Sequence, residues 1–184
     1  MLPISLTIEG IYSYQQRQHI DFSHLTSAGL FGIFGAVGAG KSSILEAITY
    51  ALYGETERLN KADKRGYNMM NLKSNHIYIE FEFLNFENRQ LRVVREFKRN
   101  SKKFEDVRTP TVQFYEKEGD QWRPLEQANP QELIGLSYHN FKRTIIIPQG
   151  QFKEFLELGA KDRNEMMKEI FNLQKFDLSD NIAK

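Results

Sequence analysis

One stretch, Gly35-Ala36-Val37-Gly38-Ala39-Gly40-Lys41-Ser42, limits what this chain can fold into more than any other. It satisfies G-x-x-x-x-G-K-[ST], a spacing in which glycines let successive backbone N–H groups turn inward around phosphate oxygens. Such a loop works between a strand and a helix, because the helix N-terminus adds its own N–H groups and the positive end of its dipole. The flanks supply that order. Leu30 to Phe34 is a short apolar run of the kind that makes a buried parallel strand. From Ser43 to Tyr53, the residues Ile44, Leu45, Ala47, Ile48, Ala51 and Leu52 recur at helical spacing, and Gly54 is placed to cap the C-terminus. The expected binding set is Gly35, Ala36, Val37, Gly38, Ala39, Gly40, Lys41, Ser42 and Ser43. Lys41 is expected to bring a point charge to the β- and γ-phosphates, and Ser42 a hydroxyl to Mg²⁺.

Length and composition set outer bounds on that core. A chain of 184 residues with 40% hydrophobic and 12% aromatic content suits one domain built around one sheet. The net charge of +1 creates no global field for nucleic acid, so any such contact has to come from a local patch. The absence of cysteine excludes a disulfide framework and a thiolate zinc site, and fits a reducing cytoplasm. No signal-peptide layout is present, and no apolar run approaches the roughly eighteen residues of a membrane span.

Ile4, Leu6 and Ile8 alternate with Ser5, Thr7 and Glu9, which predicts a strand over 3–9 ending at Gly10. Residues 11–22 read as a second strand paired back on it. Tyr12 and Tyr14 there have two readings, an aromatic face for adenine or packing within the sheet. Glu55 to Asn75 lacks periodicity and reads as a long loop. Ile77, Ile79, Phe81 and Phe83 then alternate with polar residues, turn at Asn85 to Asn88, and lead through Leu91 to Arg95, Val112 to Phe114 and Trp122. That pattern predicts an antiparallel meander. Lys98, Arg99, Lys102, Lys103 and Arg108 cluster near one of its turns, as DNA-phosphate contacts or as a solvated hairpin tip; Glu105 and Asp106 weigh against the first reading. From Pro130 the pattern becomes helical, Thr144 to Ile147 reads as a buried strand, and Phe152 to Leu173 suggests two helices with apolar faces. Gln149 follows that expected strand, where an amide can reach Mg²⁺ or an attacking water.

With these residues placed, the chain resembles a known family. Gly29-Leu30-Phe31, the loop continuing as Ser43-Ile44-Leu45-Glu46-Ala47-Ile48, and Ala51-Leu52-Tyr53-Gly54 are similar to the N-terminal ATPase lobe of the SbcC family of DNA-repair ATPases. Ile20-Asp21-Phe22 matches the strand after that lobe's first turn. Arg143 to Leu156, with Pro148-Gln149-Gly150, Phe152 and Phe155-Leu156, resembles its Q-loop. The resemblance covers essentially the whole chain. It implies an α/β fold, a P-loop NTPase of the ABC-ATPase type, with residues 1–184 as the N-terminal half of a head. Within it 1–54 holds the strands, loop and helix, 55–128 the loop and meander, and 129–184 a helical region, the Q-loop and the start of a coiled-coil helix near Phe176 to Asp180.

The cofactors implied are ATP and Mg²⁺, with Lys41 and Gln149 in catalysis and Ser42 and Gln149 at the metal. The partners implied are the C-terminal lobe of the same protein, a second head in a head-to-head homodimer, an SbcD or Mre-type nuclease and double-stranded DNA. The setting implied is cytoplasmic and nucleoid-associated. The family's second lobe carries the signature motif, the Walker B acidic pair and the switch histidine, none of them recognisable here; Ile145 to Ile147 runs into Pro-Gln rather than Asp-Glu. A half-site that binds ATP·Mg²⁺ without turning it over alone is therefore expected. Ala36 to Ala39 lacks the Asn usual in chromosome-maintenance relatives, which favours SbcC over an ATP-gated clamp of that kind. Gln151 is the competing amide. A small-molecule kinase fits poorly, since it needs an arginine-bearing lid rather than a meander after the loop helix.

Overall fold

Apolar residues at every second position, from Ile77 to Phe83 and from Leu91 to Phe97, turn their side chains to one face and build the core of a six-stranded sheet. The computed structural model describes residues 1–26, 29, 31–56, 59, 66–100, 102–103, 105–108, 110–145, 157 and 159–171. Two compact units divide the chain, Met1–Ala128 and Asn129–Lys184.

In the first unit the strands are β1 (Leu2–Glu9), β2 (Gln18–Asp21), β3 (His76–Leu84), β4 (Gln90–Lys98), β5 (Thr111–Glu118) and β6 (Gln121–Leu125). They run in the order β2-β1-β3-β4-β5-β6, and every pairing is antiparallel. The register sets Leu6 opposite Phe81 and Ile8 opposite Ile79, and all four are fully buried. Asn85 fixes the β3–β4 turn: its carboxamide oxygen accepts from the backbone N–H of Glu87 and Arg89, and Asn88 takes φ 59°. Between β2 and β3 the chain inserts a short helix α1 (Ser23–Thr26), the phosphate loop and a 13-residue helix α2 (Lys41–Tyr53). Helix α2 packs on β3 and β4 through Ile44, Ala47, Ile48, Ala51 and Leu52. At its end Gly54 takes φ 72°, and its N–H donates to the Tyr50 carbonyl.

The second unit contains α3 (Pro130–Ile134), α4 (Tyr138–Thr144) and α5 (Ala160–Ile170). Asn129 caps α3 by accepting from the Gln131 N–H, and Ser137 caps α4 by accepting from the Asn140 N–H.

Three expectations change. Phe31 to Ala36 forms no helix and pairs with no strand among the described residues, and Phe34 and Val37 are 94% and 103% exposed. A buried parallel strand needs parallel neighbours, and among the described residues the six strands all pair antiparallel. The strand expected from Thr144 does not begin there, because Thr144 completes α4 and donates its hydroxyl to the Asn140 carbonyl, while the Ile145 N–H donates to the Phe141 carbonyl. The Ser137 cap starts a helix that apolar content alone does not distinguish from a strand. Residues 146–156, including Gln149, Gln151, Phe152, Phe155 and Leu156, lie outside the described residues, as does Leu173. The expected loop from Glu55 holds a 3₁₀ turn over Gly66–Met69, with Met69 and Met70 buried and Met70 bridged to Ile11.

Candidate phosphate-binding site

The loop reaches α2 through two glycines in left-handed conformation, Gly38 at φ 84° and Gly40 at φ 87°. Gly40 is the residue just before the helix, and no side chain caps it. The N–H groups of a helix's first turn have no partner inside the helix, so this end offers a row of donors to an anion. The Lys41 ammonium folds back over the loop and donates to the carbonyls of Gly35 and Ala36, both at 2.8 Å. Those two bonds hold the cation above the turn, where phosphate oxygens would exchange for carbonyl oxygens at little geometric cost. Gly35 is less constrained than Gly40, since an added Cβ would meet Ala39 at an ordinary 3.5 Å.

The donor set fits a polyphosphate: helix-end amides, the Lys41 ammonium and the exposed Ser42 hydroxyl share one end of α2. Among the described residues no group of three or more His, Cys, Asp or Glu stands where it would hold a metal ion. A Mg²⁺ carried by phosphate oxygens and waters, with Ser42 as its protein ligand, is the form of binding these residues can support. Gln149, the second expected metal ligand, lies outside the described residues.

Behind the loop stands the turn after β1. Tyr12 and Tyr14 belong to this turn and not to a strand: the Ile11 N–H donates to the Tyr14 carbonyl and the Tyr14 N–H returns to the Ile11 carbonyl. The Tyr14 hydroxyl donates to the Gly40 carbonyl at 3.3 Å, and the Tyr12 hydroxyl to Glu46 Oε2 at 2.6 Å. Partial burial raises the pKa of Tyr14. At the other end of α2, the Arg95 guanidinium from β4 donates through Nε and Nη2 to the Ala51 carbonyl and lies 5.3 Å from the Tyr50 ring centre. Arg95 is 9% exposed, and its burial lowers its pKa. Neither role was visible in the sequence. The turn contact joins residues 26 apart and the arginine contact residues 44 apart, and no local pattern signals either.

The basic cluster is not uniform. Lys98, Lys102, Lys103 and Arg108 are exposed. Arg99 is 8% exposed and donates to the carbonyls of Leu72 and Ser74 and to Asn75 Oδ1, so it serves the fold and is no DNA contact.

Comparison with known proteins agrees with this geometry. A family profile described as AAA domain matches residues 5–183. The chain is 40% identical over 184 residues to the SbcC subunit of nuclease SbcCD from Clostridium acetobutylicum, a match that covers 96% of this chain and 15% of that protein. It is 38% identical over 183 residues to the SbcC subunit of nuclease SbcCD from Bacillus subtilis, covering 96% and 16%. With the probable DNA double-strand break repair Rad50 ATPase of Aquifex aeolicus the identity is 35% over 180 residues, covering 94% and 16%. The chain thus spans about 15% of the length of the first relative.

Proposed function

The chain belongs to the AAA-domain family of P-loop ATPases, and from that premise we propose that it is the ATP-binding half of an SbcC-like head that works in DNA double-strand-break repair. The observation that carries the reading is the Lys41 ammonium held over the loop by the Gly35 and Ala36 carbonyls, at the uncapped start of α2. A triphosphate seated there meets backbone amides of the loop and first turn, the Lys41 ammonium, and the Ser42 hydroxyl for its Mg²⁺.

Turnover asks for more than a cradle. In-line attack on the γ-phosphate draws nearly all its acceleration from positioned groups that orient water and stabilise charge. Gln149 is proposed as the amide that senses the metal or the water. The remaining groups are assigned to a C-terminal lobe and to a second head brought in by dimerisation. In this scheme ATP governs DNA binding and a partner nuclease of the SbcD or Mre type, in the cytoplasm and on the nucleoid. Among the described residues no helix is long and apolar enough to cross a membrane. The exposed Lys98, Lys102, Lys103 and Arg108 are the DNA-phosphate candidates that remain in this unit.

Calorimetry and phosphate release test the proposal together. Lys41→Ala is expected to remove most ATP·Mg²⁺ affinity. Residues 1–184 alone are expected to bind without multiple turnover, and supplying the C-terminal lobe is expected to restore a rate that climbs with protein concentration. Unchanged ATP binding by Lys41→Ala sinks the site assignment. Robust hydrolysis by residues 1–184, abolished by that substitution, sinks the half-site.

A further inference from the structure

The turn Gly10–Tyr14 meets the phosphate loop and α2 at two separate points. A Cβ added to Gly40 would lie 2.7 Å from the Ser13 hydroxyl and 2.9 Å from the Tyr14 ring, so the turn packs directly on the residue where the loop becomes helix. The Tyr14 hydroxyl bonds the Gly40 carbonyl, and the Tyr12 hydroxyl reaches Glu46 more than a helical turn further on. To present both rings this way the turn holds Tyr12 at φ 46°, a region that non-glycine residues avoid.

Something outside the turn has to stabilise that conformation, and residues 69–71 do so. The Tyr12 N–H donates to the Met69 carbonyl at 2.8 Å, and the Asn71 N–H donates to the Gly10 carbonyl at 2.8 Å. The Asn71 carboxamide nitrogen donates to the Tyr12 carbonyl at 2.5 Å, while its oxygen accepts from the Lys73 N–H at 2.9 Å. One side chain therefore joins the strained residue to the segment beyond it. Arg99, just past the end of β4, in turn ties that segment down through Leu72, Ser74 and Asn75.

We propose that Asn71 is a positioning residue for nucleotide binding: through the Tyr12–Tyr14 turn it sets the geometry of Gly40 and the first turn of α2, and so the affinity of the phosphate loop. The proposal rests on the nucleotide-binding reading above, and adds a residue well beyond the loop in sequence that never touches the ligand.

Asn71→Asp separates this role from ordinary stability. The aspartate keeps an oxygen for the Lys73 N–H and keeps the backbone bond to Gly10, but it loses the donor to Tyr12. In the full-length protein two quantities are read: the ATP·Mg²⁺ dissociation constant, and nucleotide-free hydrogen exchange of the Lys41–Ile44 amides against those of β3 and β4. The expected result is affinity weakened about tenfold, the scale of one well-placed hydrogen bond, with faster exchange at the start of α2 and unchanged exchange in β3 and β4. Tyr14→Ala is expected to do the same, and the double variant to be little worse than either single one, since both act through one turn. Wild-type affinity and loop exchange in Asn71→Asp overturn the proposal. So do single effects that multiply fully in the double variant, or exchange that rises equally in β3 and β4. If the wild type binds no ATP the functional reading falls, and the exchange comparison still decides whether Asn71 orders the loop.

Discussion

At φ 87°, with Ser13 and Tyr14 against the space a Cβ would occupy, Gly40 has no room for a side chain on two independent counts. Gly40→Ala is expected to cost about 1–3 kcal/mol of stability from backbone strain alone. It should also displace the first turn of α2, so ATP affinity falls further than Tm predicts; isothermal titration beside thermal unfolding reads both. Gly10 is equally fixed, since its φ is 70° and an added Cβ would meet the His76 carbonyl oxygen at 1.8 Å. Tyr78 offers a pH reading at the same scale. Burial first, and then its hydrogen bond to Glu80, push its pKa up from 10.0 to about 12. The folded state holds this proton more tightly than the unfolded chain does. Its contribution is therefore complete below pH 10.0 and is lost as pH rises towards about 12. Phenolate absorbance should show one tyrosine titrating near that value, and Tyr78→Phe should remove it.

The elements depend on one another through backbone groups that a helix or strand leaves open. Helix α2 ends in carbonyls without intrahelical partners, and β4 supplies Arg95 to the Ala51 carbonyl from a buried position. The negative end of the helix dipole and the Tyr50 ring both favour a cation there, which offsets part of the cost of burying it. Arg95→Met keeps much of the volume but leaves that carbonyl short of a donor. A loss of about 1–3 kcal/mol in unfolding free energy is expected, with the Lys41 end of α2 still able to bind nucleotide in the folded fraction. A denaturant titration of the variant, set beside its ATP affinity, checks this. An affinity loss in the folded protein as large as that of Lys41→Ala contradicts the assignment of Arg95 to the far end of the helix.

In the first unit, the sheet and the loop differ in what supports them. The β3 and β4 strands are paired on both sides and carry fully buried Ile79, Phe81, Leu91 and Val93, whereas Phe31 to Ala36 has no strand partner among the described residues. Amides of Phe31 to Phe34 are therefore expected to exchange orders of magnitude faster than those of Ile79, Phe81, Leu91 and Val93. Hydrogen exchange with peptide-level mass spectrometry measures it. Comparable protection in the two sets means that the segment before the loop is paired after all.

The sequence by itself determined the phosphate loop, its helix and the meander, because each is a local code: glycines and a lysine at fixed spacing, apolar positions at the helical period, and alternation at period two. Ile77 to Phe83 could be assigned to a face without knowing its neighbours, since the pleat alone sends alternate side chains to opposite sides. Partnership was left to the tertiary structure. The apolar content of Phe31 to Phe34 predicts a buried parallel strand, yet that needs a parallel neighbour, and among the described residues the antiparallel sheet provides none. Apolar content places Thr144 at the start of a strand, whereas the Ser137 cap makes it the last residue of a helix. From the sequence, Tyr12 and Tyr14 read as an adenine platform or sheet packing, Asn71 as loop, Arg95 as part of a strand, and Arg99 as a DNA-phosphate contact or a solvated hairpin tip. Their roles arise from hydrogen bonds between residues 24 to 59 positions apart, which exist only once the strand order has brought those segments together.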